Sequence, residues 1–289
     1  MVHRMIKKLC VIGVGLIGGS LALALRRAAY CDEIIGAGRH ADRLQLAKDL
    51  GVIDSFDTDI AAAVATADVI FVAVPTGAMA AVFKQIDGKL KPGAIVTDGG
   101  SAKSSVINDA REYLAQSLSQ FVPGHPIAGT EQSGVEAAFA ELYHDRRVII
   151  TPMPETRQAA SDKVTEMWRA AGAEVESMPA ALHDDILAGT SHLPHLLAFG
   201  LVNCLFESNN SESYFRYAAG GFRDFTRIAS SDPVMWRDIC LSNKAALLDS
   251  LTGYQSELDR LKDALSNEDG ERLLSYFQSA KTSRDKFKF

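Results

Sequence analysis

Short apolar runs rich in β-branched residues recur along roughly the first 180 residues, and most are separated by stretches long enough for a helix. The runs lie at 9–12, 33–36, 69–74, 94–97, 120–122, 148–151 and 174–178. Strands that are apolar at nearly every position are typical of a parallel sheet with helices on both faces. The pattern therefore predicts an α/β domain at 1–179, of the Rossmann type, with a doubly wound and largely parallel sheet.

The pattern changes near residue 180, where glycine-punctuated strands give way to long stretches of helical periodicity. Helices are predicted at 183–207, 233–264 and 270–281. Asp232 followed by Pro233 indicates a helix start, with the aspartate as N-cap and the proline in the first turn. We therefore expect a second, all-helical domain at 180–289.

The composition narrows the classes of function. A chain of 289 residues with 47% hydrophobic and 23% charged residues can fill two ordinary globular cores. A net charge of -6 argues against nucleic-acid binding, which usually needs a basic surface. No apolar run reaches the ~18 residues of a membrane span, and the N-terminus lacks the apolar core and cleavage site of a signal peptide. We expect neither a nucleic acid nor a membrane as partner.

The cysteines bear on the cellular compartment. Cys10, Cys31, Cys204 and Cys240 are far apart and form no C-x-x-C pair. This spacing argues against a disulfide framework or a zinc knuckle and favours free thiols in the cytoplasm. Because Cys10 lies in an apolar run, we expect it in the core.

A glycine-rich turn follows the first predicted strand. Gly13, Gly15 and Gly18 form G-x-G-x-x-G in the segment G-V-G-L-I-G, and Leu16 and Ile17 open a helix predicted from Leu16 to Arg27. Such glycines permit the tight turn, the approach of a pyrophosphate and close packing of helix on strand, and the helix N-terminus attracts the phosphates. The context predicts a dinucleotide site that includes all five residues. The alternative is a tight β–α turn without a ligand.

The end of the second strand bears on the choice of dinucleotide. Enzymes that prefer NAD usually carry a carboxylate there for the ribose, but this chain has Gly38 and then Arg39. A guanidinium can bind a 2'-phosphate, with His40 beside it, so the sequence favours NADP. The alternative is that Arg39 is a solvated surface charge and NAD is used. Pro75 ends the third strand, in a loop position that commonly faces the ribose or nicotinamide.

Backbone control is concentrated around one histidine. His125 stands between Gly124 and Pro126, which makes it a candidate base held at the end of a strand. Ser101 and Lys103 follow the fourth strand in D-G-G-S-A-K. Because ligands of doubly wound sheets bind beyond the carboxyl ends of the strands, these residues are expected at the same edge as the glycine turn.

Five segments together resemble the prephenate/arogenate (cyclohexadienyl) dehydrogenase family of tyrosine biosynthesis. They are G-V-G-L-I-G-G-S, D-G-G-S-A-K, G-H-P-I-A-G-T-E, S-H-L-P-H and G-G-F-R-D-F-T-R-I-A. They stand in the family's order and cover nearly the whole chain. The resemblance implies oxidative decarboxylation of prephenate or L-arogenate to 4-hydroxyphenylpyruvate or L-tyrosine, with hydride transfer to NAD(P)+, by a homodimer. It also implies the stand-alone enzyme or the dehydrogenase part of a larger fusion.

The same resemblance assigns roles to individual residues. His125 matches the catalytic histidine, which draws a proton from the C4 hydroxyl of the substrate. Ser101 is expected to contact His125 or the nicotinamide. Predicted substrate-binding residues are Arg227, which would hold a carboxylate, His195, Glu131 and Arg223.

Several of the chemically suggestive residues have simpler interpretations. Lys103 can be a surface lysine at a helix start, Trp236 a core or interface residue, and His192 a structural hydrogen-bonding residue. Arg223 can pair with neighbours in a solvated turn. His183 and His144 are expected to have no role in the site. A metal site on His192, His195 and a nearby aspartate is disfavoured, because the ligand set is sparse and hydride transfer needs no metal.

Two rival functions use the same fold. A β-hydroxyacid dehydrogenase also joins a Rossmann domain to a helical one, but it usually relies on a lysine in the helical domain. A non-catalytic, dinucleotide-sensing dimer would keep the glycine turn without needing His125, Ser101 and Arg227. Prephenate and L-arogenate both stay open as substrates, because they differ only in a keto or amino group on the side chain.

Overall fold

A computed structural model describes residues 6–130, 132–208 and 211–287. Inter-residue contacts divide the chain into two compact units, Met1–Lys244 and Ala245–Phe289. The first unit contains the sheets and the helices up to residue 242, and the second consists of helical segments. The domain boundary predicted at 179/180 does not coincide with this division and stays a prediction.

The first unit is built on a six-stranded parallel sheet. Its strands are β1 (Ile6–Ile12), β2 (Cys31–Ala37), β3 (Ser55–Asp57), β4 (Val69–Val72), β5 (Ile95–Asp98) and β6 (Phe121–Val122). The strands lie in the order β3-β2-β1-β4-β5-β6, and every neighbouring pair is parallel. This order is that of the doubly wound dinucleotide-binding fold, so the predicted fold class is confirmed.

Helices cover both faces of this sheet. They are α1 (Leu16–Arg27), α2 (Ala41–Asp49), α3 (Ile60–Val64), α4 (Met79–Ile86), α5 (Lys103–Tyr113) and α6 (Gln158–Ala170). Alternate residues of β1 enter two separate cores: Leu9 and Val11 lie in one, and Cys10 and Ile12 in the other. This period of two follows from the pleat of a strand that is buried on both faces. The prediction that Cys10 is a core residue is confirmed.

A second, smaller sheet departs from the predicted single sheet. It contains β7 (Gly124–Pro126), β8 (Arg147–Ile150) and β9 (Glu174–Ser177). β7 runs antiparallel to β8, and β8 runs parallel to β9. The apolar pattern predicted β8 and β9, but β7 consists of glycine, histidine and proline and gave no such signal.

The helices predicted at 183–207 and 233–264 are each divided into shorter ones, whereas the helix predicted at 270–281 extends to Asp285. In the first unit the helices of this part of the chain are α7 (Ala180–Leu187), α8 (Leu193–Phe206), α9 (Ser211–Arg216), α10 (Gly220–Thr226) and α11 (Pro233–Ser242). Between α7 and α8 the chain forms a π-helical turn at Ala188–His192. Asp232 caps α11 by accepting a hydrogen bond from the Met235 N–H at 2.8 Å, as predicted.

The second unit contains most of α12 (Lys244–Ser266) and all of α13 (Gly270–Asp285). The predicted helix at 233–264 is therefore two helices, because the chain leaves helical geometry at Asn243. Among the described helices, none combines the length and the apolar character needed to cross a membrane. All four cysteines are free thiols.

Candidate active site

The loops at the carboxyl ends of β1, β4, β5 and β6 converge at one edge of the main sheet. A Cβ placed on Gly13, after β1, would lie 2.6 Å from the Ala73 carbonyl oxygen, after β4. A Cβ on Gly124, after β6, would lie 3.1 Å from the Asp98 carbonyl oxygen, at the end of β5. The predicted dinucleotide and proton-transfer groups therefore belong to one edge, as expected for a doubly wound sheet.

The glycine turn has the geometry that a pyrophosphate needs. Gly13 has φ +91°, a conformation that favours glycine. A Cβ on Gly18 would lie 2.3 Å from the Gly13 carbonyl oxygen, so only glycine lets α1 pack this closely on β1. A Cβ on Gly15 would meet no atom within 4 Å, which leaves open space at the helix start. Gly15 is the N-cap of α1 without a side-chain cap, and no acidic residue occupies the first turn, so this N-terminus fits an anionic group.

The first turn of α1 is also fixed by contacts with the protein core. The Tyr143 hydroxyl donates a hydrogen bond to the Ile17 carbonyl oxygen at 2.6 Å. Tyr143 is fully buried and its ring packs edge-on against Trp168. Leu16 is buried in the core of the sheet. The first turn of α1 is thus anchored while its N-terminal end faces the open space beside Gly15.

The candidate residues for the adenosine ribose follow β2. Gly38 is half-buried, and Arg39 and His40 are exposed. His40 precedes α2 as its N-cap residue but its side chain makes no capping hydrogen bond. Pro75 is exposed after β4, at the start of the 3-10 turn Thr76–Ala78. These positions border the carboxyl edge, and their contacts with a dinucleotide stay predictions.

His125 lies on β7, opposite Ile149 of β8. Its side chain is buried, with 9% of its surface exposed, and its Nδ1 lies 2.8 Å from Nε2 of His183. Burial, and then the neighbouring His183 and Lys103, hold the pKa of His125 well below its usual value. Its imidazole is therefore neutral near neutral pH, the form that can accept a proton.

His183 was expected to have no role in the site, but the structure places it in hydrogen-bond contact with His125. It is fully buried on α7, and its Nδ1 lies 2.8 Å from Oδ1 of Asp184. The Asp184 carboxylate also accepts hydrogen bonds from the backbone N–H groups of Lys103, at 2.7 Å, and Ser104, at 2.8 Å. Burial raises the pKa of Asp184, but the hydrogen bonds from His183, Ser104 and Lys103 outweigh it and bring the pKa to about 2.

Lys103 is fully buried, so the interpretation as a surface lysine is wrong. Its ammonium group donates hydrogen bonds to Oδ2 of Asp98 and, at 2.6 Å, to the Gly124 carbonyl oxygen. Asp98 in turn accepts hydrogen bonds from the Gly124 N–H at 3.0 Å and the Gly100 N–H at 2.7 Å. The buried ion pair therefore holds both backbone polar groups of the residue before His125.

Ser101 is half-buried between β5 and α5. Among the hydrogen bonds of the described residues, none joins Ser101 to His125, and Nδ1 of His125 is occupied by His183. The predicted contact of Ser101 with His125 is therefore not seen as a hydrogen bond among the described residues. The contact predicted with the nicotinamide stays a prediction.

A stacked pair on the helical side contains another predicted residue. The His195 ring lies parallel to the Trp236 ring, with centroids 3.6 Å apart and planes at 19°. Nδ1 of His195 lies 2.9 Å from the Ser191 carbonyl oxygen, which makes Nδ1 the donor and leaves Nε2 as an acceptor. Trp236 is 8% exposed, as expected of a core residue.

α11, which carries Trp236 of this pair, lies at the carboxyl edge of the sheet. It packs against the 3-10 turn Thr76–Ala78 that follows β4. The contact is close, because a Cβ on Gly77 would lie 2.7 Å from Oδ2 of Asp238.

His192 connects the π-helical turn to Asp184. Its Nδ1 lies 3.1 Å from the side-chain nitrogen of Asn243, which donates a second hydrogen bond to the Asp184 carbonyl oxygen at 2.7 Å. His192 is therefore a structural hydrogen-bonding residue, as predicted. Burial is the main cause that lowers the pKa of His192 to about 4.

The two predicted arginines lie apart from this buried network. Arg223 is exposed on α10, and Arg227 is exposed at the start of the 3-10 turn Arg227–Ser230. Both elements pack against α8, the helix that carries His195. In the described part of the chain no contact between either arginine and His125 is seen. Glu131 lies outside the described residues, so its predicted role stays a prediction.

Family models match nearly the whole chain. The nucleotide-binding domain of prephenate dehydrogenase matches residues 21–177, and the dimerization domain of prephenate dehydrogenase matches residues 179–279.

Curated relatives align over most of their length. The cyclohexadienyl dehydrogenase of Zymomonas mobilis is 38% identical over 284 residues, which cover 96% of this chain and 95% of that protein. The prephenate dehydrogenase of Bacillus subtilis is 35% identical over 98% of this chain and 76% of its own length.

Solved structures are similar over the same extent. Prephenate dehydrogenase from Aquifex aeolicus, in complex with hydroxyphenyl propionate and NAD+, superimposes with a TM-score of 0.91 and 37% identity over 97% of this chain and 98% of that one. Synechocystis arogenate dehydrogenase gives a TM-score of 0.82 and 29% identity over 96% and 99% of the two chains.

Proposed function

The chain belongs to the prephenate dehydrogenase family, and we propose on that basis that it oxidatively decarboxylates prephenate, L-arogenate or both, with hydride transfer to a nicotinamide dinucleotide. The observation that carries the proposal is a buried, neutral His125 at the same sheet edge as a glycine turn suited to a dinucleotide. The products are 4-hydroxyphenylpyruvate from prephenate and L-tyrosine from L-arogenate.

His125 supplies the proton transfer in the proposed reaction. A nicotinamide dinucleotide, when bound, accepts the hydride that leaves C4 of the substrate. His125 accepts the proton of the C4 hydroxyl as that carbon becomes a carbonyl. Loss of CO2 then makes the ring aromatic, and the imidazolium returns its proton to the phenolate oxygen. General-base catalysis of this kind is typically worth about 10²–10⁴-fold in rate.

Other residues are proposed to hold the substrate and cofactor. Arg227 binds a substrate carboxylate, with Arg223 as a second cation, and each charge-assisted hydrogen bond contributes about 1.5–3 kcal/mol. His195 lines the substrate pocket and offers Nε2 as an acceptor. Ser101 contacts the nicotinamide, and Glu131 supplies a carboxylate in the pocket.

We propose NADP as the preferred dinucleotide and NAD as an alternative. Arg39 and His40 are exposed at the carboxyl end of β2, where they can meet a 2'-phosphate. The carboxylates of that strand, Asp32 and Glu33, lie near its other end. Gly13, Gly15, Leu16, Ile17 and Gly18 receive the pyrophosphate, and Pro75 borders the nicotinamide ribose.

We also propose that the protein is a cytoplasmic homodimer. The dimerization-domain model matches 179–279. Within the second unit, several large apolar side chains are exposed: Leu248, Leu258, Leu265, Leu274 and Phe277. A second copy of the chain that covers them would remove this apolar surface from water.

The decisive test is turnover, measured as reduced dinucleotide, with prephenate and with L-arogenate, each paired with NADP and with NAD. We expect at least one pairing to be turned over with release of CO2. Dinucleotide binding without turnover of either substrate would contradict the proposal and favour a dinucleotide-sensing dimer. Turnover of small β-hydroxyacids instead would favour the β-hydroxyacid dehydrogenase function.

A further inference from the structure

We infer that Asp184 and His183 are positioning residues that hold the proton of His125 on Nδ1 and so leave its Nε2 lone pair for the substrate hydroxyl. The inference rests on the proposed function only for the identity of that hydroxyl. The direction of the proton along the hydrogen-bonded chain follows from the geometry of the protein itself.

The series of hydrogen bonds begins at the carboxylate of Asp184, which, when ionised, can only accept hydrogen bonds. Oδ1 of Asp184 accepts from the Lys103 N–H and Oδ2 from the Ser104 N–H, which lie in the first turn of α5. These two backbone donors, together with the helix N-terminus, stabilise the ionised form and fix the orientation of the carboxylate. The group 2.8 Å from Oδ1, Nδ1 of His183, must therefore carry a proton.

The direction of hydrogen-bond donation is then fixed in the imidazole rings of His183 and His125 as well. A neutral imidazole has one N–H, so a His183 that donates from Nδ1 has an unprotonated Nε2. That Nε2 lies 2.8 Å from Nδ1 of His125 and must accept from it. A neutral His125 that donates from Nδ1 has its lone pair on Nε2. Among the described residues none hydrogen-bonds that nitrogen, which is the one left for a substrate.

Burial and the surrounding charges keep the His125 ring neutral. His125 on β7 faces Lys103 of α5, His183 and Asp184 of α7 and His192 of the π-helical turn. Burial lowers the pKa of Lys103 and the ion pair with Asp98 opposes that lowering, and Lys103 lies close enough to lower the proton affinity of His125. If His183 were instead doubly protonated, its Nε2–H would donate to His125 and the proton of His125 would move to Nε2. His125 would then be no base, so the two arrangements have opposite consequences.

The first experiment reads the protonated nitrogen directly, without substrate. The full-length protein is labelled with 15N-histidine, and the signals of His125 are assigned by comparison with His125→Asn. We expect both His125 and His183 to be protonated on Nδ1 at neutral pH. A proton on Nε2 of His125 would overturn the inference. Because no turnover is measured, this result is independent of whether the protein oxidises prephenate or L-arogenate.

The second experiment removes the negative charge of Asp184, at which the series of hydrogen bonds begins. In Asp184→Asn, we expect the Nε2-protonated form of His125 to appear and kcat to fall about tenfold or more, with dinucleotide affinity unchanged. Asp185→Asn is the matched control, because Asp185 is the next residue of α7 and is exposed. A loss of kcat with His125 still protonated on Nδ1 would assign Asp184 a structural role only, and an unchanged kcat would dismiss it as a positioning residue.

A pair of His183 variants covers the case in which Asp184→Asn does not fold. His183→Gln keeps a donor for Asp184 and an acceptor for His125, whereas His183→Leu keeps neither. We expect the glutamine variant to retain several-fold more kcat than the leucine variant, with the 15N signals of His125 close to those of the wild type. Equal activity of the two variants would show that the hydrogen bond from His125 to His183 has no role in turnover.

Discussion

His125 combines burial with backbone support to a degree that an ordinary loop histidine does not. Its ring is buried, its pKa is lowered chiefly by that burial, and the backbone of the preceding glycine is held at both its N–H and its carbonyl. These features give an imidazole that is neutral and stationary, which is what a proton acceptor needs.

At the residue scale, we predict that His125→Asn abolishes turnover while the dinucleotide still binds. Asparagine keeps a polar side chain but cannot accept the hydroxyl proton, so kcat should fall about 10²-fold or more. Steady-state kinetics and dinucleotide titration measure the two effects. Because the pKa of the wild-type His125 is low, its kcat should persist as pH falls through 6.5, the ordinary histidine value. A variant with nearly wild-type kcat would refute the assignment.

Arg39 gives a second prediction at this scale. A charge-assisted contact to a 2'-phosphate, at about 1.5–3 kcal/mol, should favour NADP over NAD roughly ten- to a hundredfold in kcat/KM. Arg39→Ala should lose that preference, and Arg43→Ala, in the first turn of α2, serves as a comparison. Equal or better kcat/KM of the wild type with NAD would show that Arg39 does not bind the phosphate.

At the scale of elements, short and irregular segments build the site. β7 is three residues long, the π-helical turn between α7 and α8 is five, and the break at Asn243 ends α11. Asn243 then binds both the Asp184 carbonyl and His192, so the break supplies a cross-link between helices. π-Helical turns often lie at functional sites, and this one lies between α7, which carries His183, and α8, which carries His195.

The 3-10 turn after α10, which begins at Arg227, gives a prediction at the scale of elements. It packs on α8, so Arg227 is held by an element that also supports His195. A carboxylate clamp binds ground state and transition state about equally, and Arg227→Ala should therefore raise KM for the substrate much more than it lowers kcat. Initial rates over a range of substrate concentrations measure both. An unchanged KM would make Arg227 a structural residue.

At the scale of the whole molecule, the second unit exposes several large apolar side chains, among them Leu265 and Leu274. We predict a homodimer, since closed two-fold dimers are the commonest oligomers and the family model for this part of the chain is a dimerization domain. Light scattering across micromolar dilutions should give twice the mass of 31.2 kDa. A mass of one chain under those conditions would contradict the prediction.

Local rules in the sequence determined much of this protein. Near-continuous apolar runs indicated the parallel sheet, the glycine spacing indicated the turn before α1, and Asp232 with Pro233 marked the start of α11. Each of these signals depends on residues within a few positions of one another, because pleat, turn geometry and helix capping are local properties.

The proton-transfer network was decided only by the tertiary structure. His125 meets His183 across 58 positions of sequence, and Asp184 meets the start of α5 across 81. Lys103 was interpreted as a surface lysine and His183 as a residue without a role, and neither interpretation includes the distant partners that they meet in the fold, Gly124 for Lys103 and His125 for His183. Buried polar and charged groups need partners, and partners that are far apart in sequence meet only through the way the elements pack.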